Sequence, residues 1–230
     1  MNSKELSFKL LKELNDLGID AYLIGGSSRD YLLNNDFVDI DICTKATPDI
    51  IQYNLKKYNL VSKDGLYYGV LKYFIDNKEV EITTLRKEGP YIKNRRPSKV
   101  EFINDLEEDS IRRDFTINAI YIDYEGNVYD YHNGLGDLKN KVIKMIGNPL
   151  KRVQEDALRI LRTIRLSEKL KFKIDDNLKE IILNYYNLVY SLNKNTLKKE
   201  IDKFLEFKRI DEIKEILLKY KIELEKLYEY

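Results

Sequence analysis

The stretch LIGGSSRDYLLNNDFVDIDICTKATPD, residues 23–49, holds two adjacent glycines, an arginine and two aspartates one residue apart. A buried strand runs up to the glycines, RDYLL reads as a short helix, and FVDIDICT reads as the next strand. Side chains on a strand alternate faces, so Asp39 and Asp41 are expected on one side, roughly 7 Å apart, with Ile40 and Ile42 turned to the core. Like charges that close repel, and carboxylates holding magnesium on a nucleotide's phosphates are the expected use of such a pair. A strand edge facing water accounts for a lone D-x-D as well. Gly25 and Gly26 leave backbone N–H groups at a helix start, where the dipole favours an anion, and Arg29 follows closely. The spacing is not G-x-G-x-x-G, which disfavours a dinucleotide fold. Taken with the carboxylates, the glycine turn makes a phosphate ligand the better reading.

Around this core the chain divides into two differently patterned parts. SKELSFKLLKELNDLG (3–18) is an amphipathic helix with Ser3 as its cap and Gly18 as its stop. Thr47 and Pro48 open a further helix, and residues 65–86 read as a hairpin turning at Asp76 and Asn77. RKEGPYIKNRRPSKV (86–100) reads as a polar loop, and a helix around residues 104–114 and a strand NAIYID follow. From about residue 149 onward the apolar period is helical, with few glycines or prolines. The expected class is α+β: a small mixed sheet with flanking helices over 1–145, a helical neck over 146–207, and a short helical segment over 208–230.

Composition narrows the chemistry. The chain has 230 residues, one cysteine and one histidine, so a disulfide framework or a Cys/His metal site is excluded and any metal must sit on oxygen ligands. That favours magnesium over zinc. No apolar run approaches a membrane span and no signal segment follows Met1, so a soluble cytoplasmic protein is expected. Net charge is +1, yet residues 141–203 carry 15 Lys and Arg against 8 Asp and Glu. A basic segment of this kind suits a phosphate-rich partner, and solvated surface lysines give the same count.

GGSSRDYLLNNDFVDIDI (25–42) resembles the G-G-x-x-R-D…D-x-D signature of class II tRNA nucleotidyltransferases, the CCA-adding enzymes, and the related bacterial poly(A) polymerases. RRDFTINAIYID (112–123), DYHNGLGDLKNKVIKMIGNP (130–149) and EDALRILRTIR (155–165) resemble further motifs of that family, in its order. The resemblance implies a nucleotidyltransferase head that adds CMP and AMP from CTP and ATP to the 3′ end of tRNA without a nucleic-acid template. Asp39 and Asp41 would bind two magnesium ions, and Glu81 is a candidate third carboxylate. Gly25, Gly26, Arg29 and Arg113, with Arg112 a weaker candidate, would hold the nucleotide, and Asp114 and Asn118 would orient its sugar or brace the glycine turn, a helix cap being the alternative role of Asp114. Asp156, Arg159, Arg162 and Arg165 fall at intervals of three, a stripe along one helix. The resemblance makes Asp156 and Arg159 the pair that reads the base, with Glu155 steering Arg159 and Arg162 and Arg165 nearer triphosphate or RNA.

The loop at 86–100 resembles the one that helps CCA-adding members pass from CTP to ATP, with Tyr91, Arg95 and Arg96 as contacts. Asp130, Gly134, Gly136 and Asp137 read as structural, and His132 as a turn residue. Two substitutions depart from the pattern: Ser27-Ser28 after the glycines and Ala157 where the family commonly has proline. The chain is also shorter than family members, consistent with a minimal enzyme, a fragment, or a dimer completing its surface in trans. A CC- or A-adding specialist, a poly(A) polymerase, an idle RNA-binding homologue and a transferase acting on small molecules or proteins remain alternatives.

Overall fold

The computed structural model describes residues 1–92 and 96–229, and its chain separates into two units. Arg95, expected to contact nucleotide or RNA, lies outside the described residues, as does the Arg96 side chain.

The first unit comprises Met1–Gly89 and Lys99–Lys139. Its strands are β1 (Ala21–Leu23), β2 (Ile40–Thr44), β3 (Asn59–Ser62), β4 (Val70–Ile75) and β5 (Lys78–Thr84). After them come β6 (Arg86–Glu88), with β7 (Tyr91–Ile92) and β8 (Arg96–Pro97) in the second unit, then β9 (Val100–Phe102), β10 (Ile120–Ile122) and β11 (Val128–Asp130). Among the described residues a seven-stranded mixed sheet runs in the order β11-β10-β1-β2-β5-β4-β3. β2 and β5 are parallel and every other neighbouring pair is antiparallel. The parallel pair needs a crossover, which α3 (Pro48–Asn54), β3 and β4 provide. β4 and β5 turn at Asp76 (φ 48°) and Asn77 (φ 62°), two successive left-handed residues of the kind a two-residue hairpin demands.

One face of the sheet carries the main core. Leu6, Leu10, Leu11 and Leu14 of α1 (Ser3–Asp16) pack there on Ile40, Ile42, Leu71, Tyr73, Val80 and Ile82. Ile40 and Ile42 thus face the core, which sends Asp41 to the opposite face, as alternation requires. A smaller cluster of Tyr22, Ile24, Cys43, Leu85, Leu106 and Tyr121 covers part of that second face.

Local structure corrects three expectations. α1 is capped one residue earlier than Ser3. Asn2 Oδ1 accepts the Glu5 N–H at 2.8 Å and Glu5 Oε2 accepts the Asn2 N–H at 3.1 Å, a reciprocal box that Ser3 cannot make. β2 begins at Ile40, so Asp39 lies in a bend before the strand, because its flank at Val38 is 75% exposed and has no sheet to join. The polar loop contains strands, β6 antiparallel to β9 and β7 antiparallel to β8, because its residues find backbone partners in one another.

The second unit comprises Pro90–Ser98 and Asn140–Tyr230. It contains a parallel pair, β12 (Val142–Ile143) and β13 (Lys173–Ile174), and a helical array. α4 (Leu106–Ile111) and α5 (Gly134–Asn140) precede this array, which consists of α6 (Pro149–Glu155), α7 (Leu158–Leu170), α8 (Asp176–Tyr185), α9 (Lys194–Leu205), α10 (Ile210–Leu218) and α11 (Lys226–Glu229). Val153, Ile160, Ile164, Leu178, Ile182, Ile201 and Leu217 form its buried faces. The helix expected over 176–192 tightens to a 3-10 helix at Tyr186–Ser191. No helix among the described residues is long and apolar enough to cross a membrane.

Candidate functional site

The glycine turn and the carboxylates meet in the first unit. Gly25 has φ +72°, a left-handed conformation that any side chain would strain. It also brings the backbone against Asp41: a Cβ at Gly25 would stand 3.0 Å from Asp41 Oδ2. Both glycines lie within the first turn of α2 (Gly25–Leu32) rather than before it, and the Gly26 backbone N–H favours the ionised form of the Asp41 carboxylate. The amide expected to point at a phosphate thus first serves Asp41.

Asp41 is half-buried and register-paired with Glu81 across the parallel β2–β5 ladder. Burial, then Glu81, then Asp39 push its carboxyl up to about 6 against the opposing pull of Arg113 and the Gly26 N–H. Asp39 is exposed in its bend. The donors are carboxylate oxygens throughout, the hard ligands a divalent cation prefers, and a cation would relieve the crowding at Asp41. The pair therefore fits such an ion. Among the described residues no three His, Cys, Asp or Glu side chains converge closely enough to hold a metal. Glu81, beside Asp41 on the neighbouring strand, also faces Lys72, whose Nζ stands 3.4 Å from Glu81 Oε2 and 2.7 Å from Glu79 Oε1.

The arginines of this unit are anchored. Arg29, 5% exposed, donates Nε and Nη2 to the Asp30 carboxylate at 2.9 and 2.8 Å and Nη1 to Asn118 Oδ1 at 2.8 Å. Arg29 and Asn118 thus brace α2 from behind the glycines. Arg113 donates Nε and Nη2 to Asp109 Oδ2 at 3.0 and 2.8 Å, and Nε to the Tyr121 hydroxyl at 3.1 Å. Arg112 Nη2 holds the other oxygen of Asp109 at 2.8 Å, and the Arg86 N–H donates to it at 2.9 Å. Asp109 is fully buried, and its two arginines hold its carboxyl well below the usual carboxylate range, overcoming the upward push of burial. Sequence reading missed this residue. The signal was there in EEDSIRR, where Asp109 sits three and four residues before Arg112 and Arg113 on one helical face.

Residues read as structural are so placed. Asp130 accepts the N–H groups of Gly134 and Leu135 at 2.8 and 2.9 Å and thereby caps α5. A Cβ at Gly134 would meet the Thr116 carbonyl at 2.4 Å, so only glycine fits there. His132 Nε2 and Ser110 Oγ are 2.7 Å apart, and burial pulls the imidazole below its ordinary value.

The second unit carries the arginine motif, with one correction. Asp156 is not on a helix with Arg159. It has φ −144° and ψ 101°, extended values that end α6, and its Oδ1 accepts the Leu158 N–H at 3.1 Å as α7 begins. An aspartate that bonds forward to the backbone competes with helix continuation, which breaks the expected stripe. Asp156 and Arg159 are 7% and 1% exposed. Arg159 Nη1 donates to the Arg152 carbonyl at 2.8 Å and lies 3.4 Å from Glu155 Oε2. Nη2 donates to the Tyr91 hydroxyl at 3.2 Å, with the guanidinium 5.3 Å from the Tyr91 ring centroid. Glu155 and Tyr91 therefore set the position of Arg159. Arg162 is half-buried on α7, whereas Arg165 donates Nε to the buried Glu200 at 2.5 Å.

Known proteins are similar to this chain in sequence and in fold. The CCA-adding enzyme of Staphylococcus epidermidis is 45% identical over 168 residues, 73% of this chain and 41% of that protein. The crystal structure of the Bacillus stearothermophilus CCA-adding enzyme in complex with CTP superposes with a TM-score of 0.77 at 30% identity, over 89% of this chain and 49% of that one. A tRNA nucleotidyltransferase complexed with a primer tRNA and an incoming ATP analog gives 0.74 at 31% identity, over 96% and 62%. The chain spans about half the length of the curated relatives it matches. Residues 21–144, more than half of the sequence, match the poly A polymerase head domain, and the chain belongs to that family.

Proposed function

We propose that this chain is the catalytic head and nucleotide-selecting neck of a CCA-adding tRNA nucleotidyltransferase, taking CTP, ATP and the tRNA 3′ end as substrates in the cytoplasm. The observation that carries the reading is the Asp39–Asp41 pair, one member of which is pressed against the glycine turn. In this reading residues 1–145 are the head, 146–207 the neck and 208–230 a short helical segment. Relatives named as CCA-adding enzymes, and neighbours solved with CTP or with tRNA and an ATP analog, support it.

Asp39 and Asp41 would hold magnesium, which when bound supplies charge neutralisation at the phosphates and acidifies the attacking 3′-hydroxyl. Glu81 adds negative potential beside them, moderated by Lys72. Gly25 keeps the Asp41 carboxylate close to the α2 turn, and Arg29 and Asn118 keep that turn rigid. Arg113 lends positive potential to Asp41, as its effect on that carboxyl indicates. Asp156 and Arg159 would discriminate the base, an aspartate acceptor beside an arginine fork of donors. Arg162 and the basic surface of 141–203 would meet phosphates of the RNA. Arg165 serves the packing of α7 on α9 through Glu200.

The test is extension of a tRNA transcript ending at its discriminator base, with magnesium and CTP alone, ATP alone, or both. Addition of two C's and then one A supports the reading. Arrest after two C's with both nucleotides present points to a CC-adding specialist, and long A tails to a poly(A) polymerase.

A further inference from the structure

The turn at Gly25 leaves β2 short of a neighbour at the place where its carboxylates begin. β1 pairs with β2 only as far as Leu23 opposite Ile42, and the Ile24 N–H closes that edge on the Asp41 carbonyl at 3.0 Å. The left-handed residue at Gly25 then carries the chain away into α2. Two backbone groups of β2 and its approach, the Asp39 carbonyl and the Asp41 N–H, are left facing where β1 would have continued. Ser27 supplies both partners with one atom. Its Oγ donates to the Asp39 carbonyl at 2.9 Å and accepts from the Asp41 N–H at 2.9 Å. The residue is 1% exposed, so both bonds are made away from solvent.

We propose that Ser27 is a positioning residue that fixes the separation and orientation of the Asp39 and Asp41 carboxylates toward a shared divalent cation. The inference rests on the reading of that pair as the cation site. Asp39 lies in a bend outside the sheet, so no ladder sets its peptide, and the hydroxyl ties that peptide to the strand bearing Asp41. Two side chains one residue apart must converge on one ion, and the angle between their peptides decides whether they can. An alanine at this place in α2 would satisfy helix propensity better and pack as well. The hydroxyl's contribution is therefore directed at the D-x-D backbone, where it stands in for a missing strand.

The experiment measures Mn2+ affinity by electron paramagnetic resonance for the wild-type chain, Ser27→Ala, Ser27→Cys and Asp41→Asn. Each is first checked by thermal unfolding in EDTA. Ser27→Ala is expected to bind Mn2+ about tenfold more weakly, the scale for losing a group that orients a metal ligand. Ser27→Cys should fall between, because a thiol is a weaker donor and acceptor than a hydroxyl. Amide exchange at Asp41 should accelerate in Ser27→Ala. Unchanged Mn2+ affinity in a folded Ser27→Ala chain, even with a lowered melting temperature, overturns the proposal and reduces Ser27 to a packing role. Should Ser27→Ala not fold, wild-type affinity in Ser27→Cys overturns it equally. Wild-type protein that binds Mn2+ no better than Asp41→Asn removes the cation reading itself, and the inference with it.

Discussion

Gly25→Ala separates the two reasons for glycine at the turn. Alanine at φ +72° costs about 1–2 kcal/mol, the ordinary penalty for an L side chain in the left-handed region. Its Cβ would also meet Asp41 Oδ2 at 3.0 Å, closer than ordinary contact, so the carboxylate must give way by a few tenths of an ångström. Gly126→Ala provides the control. Gly126 has φ +88° and nothing within 4 Å of its would-be Cβ, so it carries the backbone penalty alone. Both variants should lose stability by about 1–2 kcal/mol, or about 2–4 °C in melting temperature per kcal/mol for a chain of this size. Only Gly25→Ala should weaken Mn2+ binding. The assay is thermal unfolding in EDTA followed by Mn2+ titration. Equal Mn2+ affinities in the two variants would refute the argument that Gly25 exists to seat Asp41.

Three further substitutions probe other parts of the account. Asp109→Asn strands Arg112 and Arg113 and should cost about 3–5 kcal/mol, the scale for breaking a buried ion pair. Because the folded state holds the Asp109 carboxyl below its unfolded value of 3.8, the stabilisation is present above that pH and is lost as pH falls below it. Urea midpoints of wild type and Asp109→Asn should therefore converge between pH 5 and pH 2, and a constant gap contradicts the assignment. Asn77→Gly relieves a left-handed residue in the β4–β5 turn and should raise the urea midpoint by the equivalent of about 0.5–1 kcal/mol; a lowered midpoint argues against the turn geometry. Arg159→Lys loses the fork held by Tyr91, Glu155 and the Arg152 carbonyl, and incorporation assays should show GTP and UTP gaining on CTP and ATP. Unaltered selectivity would place base reading elsewhere.

What could be read from the sequence was what local chemistry dictates. The alternation in FVDIDICT put Ile40 and Ile42 in the core, and Asp76-Asn77 announced its turn, because each depends on residues within a few positions. The helical period of residues 149–170 did not reveal the break at Asp156. Apolar residues keep their spacing across it, with Val153 and Ile160 both buried, while the break comes from one carboxylate bonding forward to Leu158. Ser27 was visible only as a departure from a pattern, since its partners lie 12 and 14 residues away. The Asp76-Asn77 turn already dictates Lys72 opposite Glu81, whereas the pairing of Glu81 with Asp41 came through a crossover whose register no local signal fixes. Tyr91 could be suspected of touching a ligand, but not of holding Arg159, because that contact spans 68 residues.

The most direct measurement is nucleotide transfer itself: tRNA lacking its 3′-terminal CCA, incubated with magnesium, CTP and ATP, and either the wild-type chain or Asp41→Asn. The account predicts extension by C, C and A with wild type and none with Asp41→Asn, both proteins melting as folded chains. Extension by Asp41→Asn at the wild-type rate would contradict it.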